Sequence, residues 1–237
     1  DFVSSGFNAV VNNLAKSYYR WGQNSDVVVR MPCGGGVGAG PFHSQTNEAW
    51  FTHTPGLKVV YPSSPYDAKG LLLTAIDDCN PVMFFEHKAL YRSISDFVPD
   101  GYYNIPFGEA NFINNGMDLS IITYGMGVHW VLDYISKNSD ISIELLDLRT
   151  LIPLDKKSIE HTVKKTGKVL ILHEDSHIGG FGADIASFIS EYLFEYLDAP
   201  VFRVSSLDTP VPFAPDLEKT YLANSRLADS IVKLYKY

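Results

Sequence analysis

Apolar residues recur along this chain with two alternating periods. Phe7, Val10, Val11, Leu14, Ala15 and Tyr18 follow i, i+3, i+4 spacing, which predicts an amphipathic helix capped by Ser4 or Ser5. Short β-branched runs then alternate with helical patterns. Strands are expected over 26–31, 57–61 and 82–85, with helices over 45–52 and, opened by Ser63-Ser64-Pro65, over 65–77. The rhythm restarts with strands over 119–124, 141–148, 168–173 and 201–204. The intervening helices are marked by Val128, Val131, Leu132 and Ile135, by residues 154–165, by Ile185, Phe188, Ile189, Tyr192, Leu193 and Tyr196, and finally by Leu227, Ile231 and Leu234. Repeated strand–loop–helix units imply an α/β fold with mostly parallel sheets and helices on their faces. Ligands of such sheets sit at the carboxyl ends of the strands. Residues 93–106, with Pro99-Asp100-Gly101 and Ile105-Pro106, lack periodicity and read as a linker between units 1–92 and 107–237.

Composition narrows the class. At 237 residues, with 46% hydrophobic and 19% charged residues, the chain can bury a core and is not disordered. Nineteen basic against 27 acidic residues, net −8, argue against nucleic acid or an anionic membrane as partner. No apolar run reaches the length of a membrane span. Two cysteines, Cys33 and Cys79, read as reduced thiols of a cytoplasmic protein. The chain opens at Asp1 directly into a helical pattern and is read as part of a longer polypeptide.

The candidate chemistry lies in one stretch. After the strand at Val27–Val29 come Gly34, Gly35, Gly36, Gly38 and Gly40, then His43-Ser44-Gln45. So bare a loop can lie against a ligand or another subunit. His43, with a helix start expected at Ser44, is placed for proton transfer, although a lone histidine is more often an ordinary one. The loop is not a P-loop, for it lacks Lys-Ser/Thr. Nor is it a good dinucleotide fingerprint, since no helix follows directly and no acidic residue is placed for a ribose. His173-Glu174-Asp175-Ser176-His177 invites a zinc reading, but it lies at a strand end without a cysteine partner. Asp77, Asp78 and Asn80 read first as turn chemistry.

Arg30-Met-Pro-Cys-Gly34, Gly38-Ala-Gly40, His43-Ser-Gln45 and Pro55-Gly-Leu-Lys-Val-Val-Tyr-Pro62 closely resemble the β subunit of thiamine-diphosphate-dependent 2-oxo acid dehydrogenases, the branched-chain type most of all. The resemblance continues through Asn80-Pro81, Phe84-Phe85-Glu86, Leu90-Tyr91-Arg92, Asp147-Leu-Arg-Thr-Leu-Ile-Pro153, Gly179-Gly-Phe-Gly182 and Asp208-Thr-Pro210, essentially the whole chain. It implies the later part of a pyrimidine-binding domain followed by a transketolase-type C-terminal domain. It implies that His43 faces the thiazolium and the incoming lipoyl group, and that Phe2 lies against the cofactor's aminopyrimidine. It implies a potassium-like cation at Ser25, Val27, Val28 and Ala75, with Asp78 and Asn80, since oxygen-only ligands suit a hard cation. The family's activating glutamate lies upstream of Asp1-Phe2. Its Gly-Asp-Gly motif for diphosphate and magnesium is not in this chain and belongs to the α partner.

The expected function is thus the β part of a decarboxylase. Assembled with an α subunit, it passes the acyl group of a branched-chain 2-oxo acid to lipoyl-lysine on a dihydrolipoyl acyltransferase. The isolated chain is expected to be inactive and the assembly oligomeric. Pyruvate is the alternative substrate. A transketolase or deoxyxylulose-phosphate synthase would need arginines near the glycine loop, where only Arg30 is close. A non-catalytic assembly module is the remaining alternative.

Overall fold

The computed structural model describes all 237 residues. Residues 3–21 are helical but not uniformly α. A 3-10 turn (Val3–Gly6), a π segment (Ala9–Asn13) and a second 3-10 turn (Leu14–Lys16) lead into α1 (Ser17–Trp21). The expected serine cap is not made. Phe2 stands at the N-cap without a side-chain bond, while the π segment shifts the apolar face so that Val10 and Ala15 are buried.

The first sheet follows from the β-branched runs. β1 (Val28–Cys33), β2 (Lys58–Val60) and β3 (Val82–His87) form a parallel set in the order β1-β3-β2. β3 is buried at every position, as a central parallel strand should be. The strand expected over 26–31 begins two residues later, leaving Val27 exposed. Between these strands lie α2 (Ala49–Thr52), α3 (Pro65–Asp77) and, after β3, α4 (Leu90–Ser93). Ser64 caps α3 by accepting from Asp67 N at 3.0 Å and donating to Asp67 Oδ2 at 2.9 Å. α2 is shorter than the helix expected over 45–52. Residue 45 is held outside it, because Gln45 N donates to Asp1 Oδ1 and Gln45 O accepts from Gly34 N.

Residues 94–110 contain no helix or strand and lie along α3. Tyr103 stacks on Tyr66 with centroids 4.6 Å apart, and Ile105 N donates to Gly70 O. The second sheet has the order β4-β6-β5-β8-β9. It comprises β4 (Asn111–Asn114), β5 (Leu119–Thr123), β6 (Ile143–Asp147), β8 (Val169–Ser176) and β9 (Phe202–Ser206). All pairs are parallel except β4 on β6. Its helices are α5 (Met126–Lys137), α6 (Lys156–Thr166), α7 (Gly182–Tyr192), α8 (Pro215–Tyr221) and α9 (Asn224–Tyr235). Sequence periodicity missed β4, α4, α8 and the strand Thr150–Ile152, all of them short.

The two halves are not separate bodies. β7 (Thr150–Ile152), from the second half, adds antiparallel to β2 of the first sheet. The largest apolar cluster, 23 residues, runs from Phe51, Tyr61 and Phe85 to Ile122, Tyr124 and Ile171. Arg149 straps the junction. Its guanidinium pairs with Asp67 at 3.0 Å and donates to the carbonyls of Glu109 and Ala110. No helix is long and apolar enough to cross a membrane. Cys33 is buried and Cys79 exposed, and both are free thiols.

Candidate active site

The glycine loop leaves the carboxyl end of β1 and turns on glycines held at positive φ: Gly34 (92°), Gly36 (77°), Gly38 (69°) and Gly40 (70°). At Gly34 and Gly40 there is also no room for a side chain. A Cβ on Gly34 would lie 2.2 Å from the His87 ring, and one on Gly40 would lie 2.4 Å from Phe213. The loop turns its backbone N–H groups toward the second half of the chain, and two carboxylates fill them. Glu174, on β8, accepts from Gly35 N at 2.6 Å; Glu218, on α8, accepts from Gly36 N at 2.9 Å and from Gly38 N at 3.1 Å. Successive N–H groups on a glycine backbone form an anion-binding concavity. Here the chain's own second half occupies it. Cys33, Gly34 and Gly35 are buried within the chain, while Gly36, Val37 and Gly38 at the tip stay exposed.

Glu174 also meets His87 Nε2 at 2.7 Å and Thr46 Oγ1 at 3.1 Å. Burial alone would raise its carboxyl, but His87 and the Gly35 N–H outweigh this and hold it below the ordinary value. Two neighbouring carboxyls go the other way. Glu48 is fully buried, with one oxygen accepting from Tyr124 Oη at 2.7 Å and the other without a partner. Burial, and then the charge of Asp175, push it well up. Burial likewise pushes Asp175 up to about 6.

The loop ends at a rim formed by Phe2 and His43. Their rings meet edge to face, with centroids 5.2 Å apart, and both side chains are exposed. Asp1 and Lys88 pin this rim, since Lys88 Nζ binds Asp1 Oδ2 at 2.7 Å and also the carbonyl of His43. The helix expected at Ser44 does not form there. Residues 41–43 are a turn and α2 opens only at Ala49, so no helix dipole acts on the His43 imidazole. Ser44, beside it, is buried with an unpartnered Oγ.

These residues fit one end of thiamine diphosphate. An exposed aromatic ring, an imidazole beside it and an orphaned buried hydroxyl suit a flat heterocycle. Nothing here suits the other end: no group of three His, Cys, Asp or Glu side chains comes together to hold a metal ion. The zinc reading of residues 173–177 fails for the same reason. His173 packs against Gly180 and Gly182 with both nitrogens unpartnered, while His177 is bound by Ser205 and Arg203. Burial first, and then Arg203, drive His173 down to about 3.

Of the residues expected around a potassium-like cation, Val28 and Ala75 pack in one small apolar cluster with Val82. The Val27 carbonyl accepts from Val82 N at 2.9 Å, and Ser25 O from Val27 N at 2.8 Å. Asp78, the one acidic side chain among them, is paired with Lys58 and accepts from Asn80 N and Nδ2 at 2.9 and 3.1 Å. Any cation there competes with the Lys58 ammonium.

Residues 1–93 match the transketolase pyrimidine binding domain family, and residues 108–226 match the transketolase C-terminal domain family. The chain is 44% identical to the 2-oxoisovalerate dehydrogenase subunit beta of Bacillus subtilis over 231 residues, 94% of this chain and 70% of that protein. It belongs to the transketolase-like β subunits of 2-oxo acid dehydrogenases. This β subunit is also 43% identical to 2-oxoisovalerate dehydrogenase subunit beta 2 of Arabidopsis thaliana, a mitochondrial protein, over the whole chain and 67% of the relative. It is 40% identical to the pyruvate dehydrogenase E1 component subunit beta of Mycoplasma genitalium, over 96% of this chain and 69% of that one. Among solved structures it resembles a split-gene transketolase, an inactive beta4 tetramer, at a TM-score of 0.78 and 20% identity. That likeness covers 99% of this chain and 73% of the other, and bears on the fold alone.

The expected α/β architecture and family thus stand. The residues that reading the sequence missed in the β subunit are those joining its halves. Glu174 lay inside a motif weighed for zinc, for which the family resemblance implies a structural role near the interdomain or subunit contact; Glu218 carried no signal, because nothing local reveals a partner 182 residues away.

Proposed function

We propose that this β subunit, assembled with an α subunit, serves the oxidative decarboxylation of a branched-chain 2-oxo acid and transfer of the acyl group to lipoyl-lysine on an acyltransferase. The observation that carries the proposal is the exposed Phe2–His43 pair at the rim of the glycine loop, in a chain whose relatives include 2-oxoisovalerate dehydrogenase β subunits. Thiamine diphosphate, when bound, supplies the carbon nucleophile for decarboxylation. Phe2 offers its ring to the heterocycle. His43 gives a proton to a dithiolane sulfur as the lipoyl disulfide opens, acting as a general acid at the rim. Lys88 and Asp1 hold the rim, and the Glu174 and Glu218 bonds hold the loop behind it. The magnesium-diphosphate end falls to the α partner, so the β chain alone neither binds the cofactor tightly nor turns over.

A second substrate, pyruvate, is kept in view by the Mycoplasma relative. The test is to assemble the β subunit with its α subunit and a lipoyl domain and compare kcat/KM for 2-oxoisovalerate and pyruvate. A preference of at least roughly tenfold for the branched acid, the low end of what a single methylene is worth in a hydrophobic pocket, supports the proposal. Preference for pyruvate moves the assignment to the second substrate, and turnover without the α subunit overturns the division of labour.

A further inference from the structure

Residues 44–48 join the His43 rim to α2, and the chain fastens them at several points. Gln45 binds Asp1 and Gly34 through its backbone, and Thr46 Oγ1 donates to Glu174 Oε1 at 3.1 Å. Glu48 makes the fastening that reaches deepest into the second half. Its side chain is wholly buried, and Oε1 accepts from Tyr124 Oη, just after β5, at 2.7 Å. Oε2 has no partner.

Two observations bear on its charge. First, no cation answers it. Glu48 enters no ion pair. The basic groups of this neighbourhood are spent elsewhere: His87 Nε2 meets Glu174 at 2.7 Å, and Lys88 Nζ binds Asp1 and the His43 carbonyl. Second, the titratable groups facing Glu48 from the elements around it are acids. They are Cys33 of β1, Tyr61 after β2, Tyr124 after β5, Glu174 and Asp175 of β8, and Tyr221 of α8. Each is neutral or negative, and none can offset a charge on Glu48. A buried carboxylate with one hydrogen bond costs far more than a buried O–H with none. Burial first, and then Asp175, accordingly push the Glu48 carboxyl well up. Burial raises Asp175 as well, but the N–H groups of Ser176 and Ala49 limit it to about 6. At neutral pH the proton therefore stays on Glu48.

We propose that Glu48 is a positioning residue for the His43 step, a neutral carboxyl group whose bond to Tyr124 fastens residues 43–48 to the second half of the chain. The inference rests on the role given to His43 above. A charge on Glu48 would sit uncompensated among acids and drive the segment toward solvent. That movement takes the imidazole out of line with the incoming dithiolane, and proton transfer needs hydrogen-bond reach.

The test uses the assembled enzyme at neutral pH. The infrared difference between wild type and Glu48→Gln should contain the carbonyl stretch of an un-ionised carboxyl group. Glu48→Ala and Tyr124→Phe each remove the bond. Both should slow reductive acylation roughly fivefold, the worth of one hydrogen bond, and speed amide exchange over residues 43–48. Decarboxylation followed with an artificial electron acceptor should hold. Glu48→Gln is neutral and still accepts from Tyr124, so it should recover the acylation that Glu48→Ala loses. The proposal is overturned by a difference spectrum without that stretch, by Tyr124→Phe that exchanges and acylates like wild type, or by equal loss in both half-reactions. Retained acylation in His43→Ala is a different failure, that of the His43 reading. The infrared band and the exchange rates do not depend on it, and they still decide whether Glu48 fastens the segment.

Discussion

Glu218 Oε1 accepts the backbone N–H of Gly36 at 2.9 Å across 182 residues of sequence, and its second oxygen accepts the N–H of Gly38 at 3.1 Å. The loop bordering the candidate site is therefore shaped by the other half of the chain. In Glu218→Gln only one acceptor oxygen remains. A loss of about 1–2 kcal/mol is expected from the weakened charged bonds, with faster amide exchange confined to residues 35–38. Urea melts and hydrogen-exchange mass spectrometry check this. Unchanged exchange at the loop means that Glu218 does not hold it.

His43 makes no side-chain hydrogen bond, and its ring touches only Phe2 among aromatic neighbours. In the assembled enzyme, His43→Ala should slow reductive acylation by roughly 10²-fold or more, the scale of a lost general acid. Decarboxylation followed with an artificial electron acceptor should fall much less, and the melting curve should not move. Equal loss in both half-reactions transfers the residue to decarboxylation or cofactor binding. No loss in either makes it an ordinary loop histidine.

Phe2 is 61% exposed, so Phe2→Ala removes little packing from the fold. If its ring stacks on the cofactor, the assembled variant should need roughly fivefold more thiamine diphosphate for half activity, from about 1 kcal/mol of aromatic contact. Activation curves at saturating substrate measure it. An unchanged curve leaves Phe2 as support for the His43 ring.

Asp175 has a folded value near 6, against an ordinary 3.8, raised by burial. A carboxyl raised in this way binds its proton more tightly in the folded state. Its stabilising contribution is complete below about 3.8 and is lost as pH rises through 6. Asp175→Asn is permanently neutral. Relative to wild type, it should therefore gain stability on going from pH 4.5 to 7.5. Chemical denaturation at the two pH values decides, and a constant difference between the proteins refutes it.

Lys58 supplies the positive charge at Asp78. Lys58→Met leaves that carboxylate, with Asn80 beside it, open to a monovalent cation. Its melting temperature should rise in potassium over tetramethylammonium at equal ionic strength by more than the wild type's does. The same response in both proteins shows that Lys58 and a cation do not compete there.

The alternation of β-branched runs with helical periods determines the α/β class, the order of the longer elements and the parallel sense of both sheets, because side-chain period and burial are local properties. The run from Arg30 to Gln45 likewise carries the family, and with it the roles assigned to Phe2 and His43. Three other matters were decided only by the tertiary structure. Gln45 spends its backbone on Gly34 and Asp1, so the helix expected at Ser44 begins at Ala49. Thr150–Ile152, too short to announce a strand, becomes one because the edge of β2 offers it unpaired groups. The glycine loop's N–H groups, which the sequence leaves open to a ligand or a second subunit, are filled by Glu174 and Glu218. Each depends on which distant group meets a given backbone atom, and long-range pairing of that kind has no period along the chain.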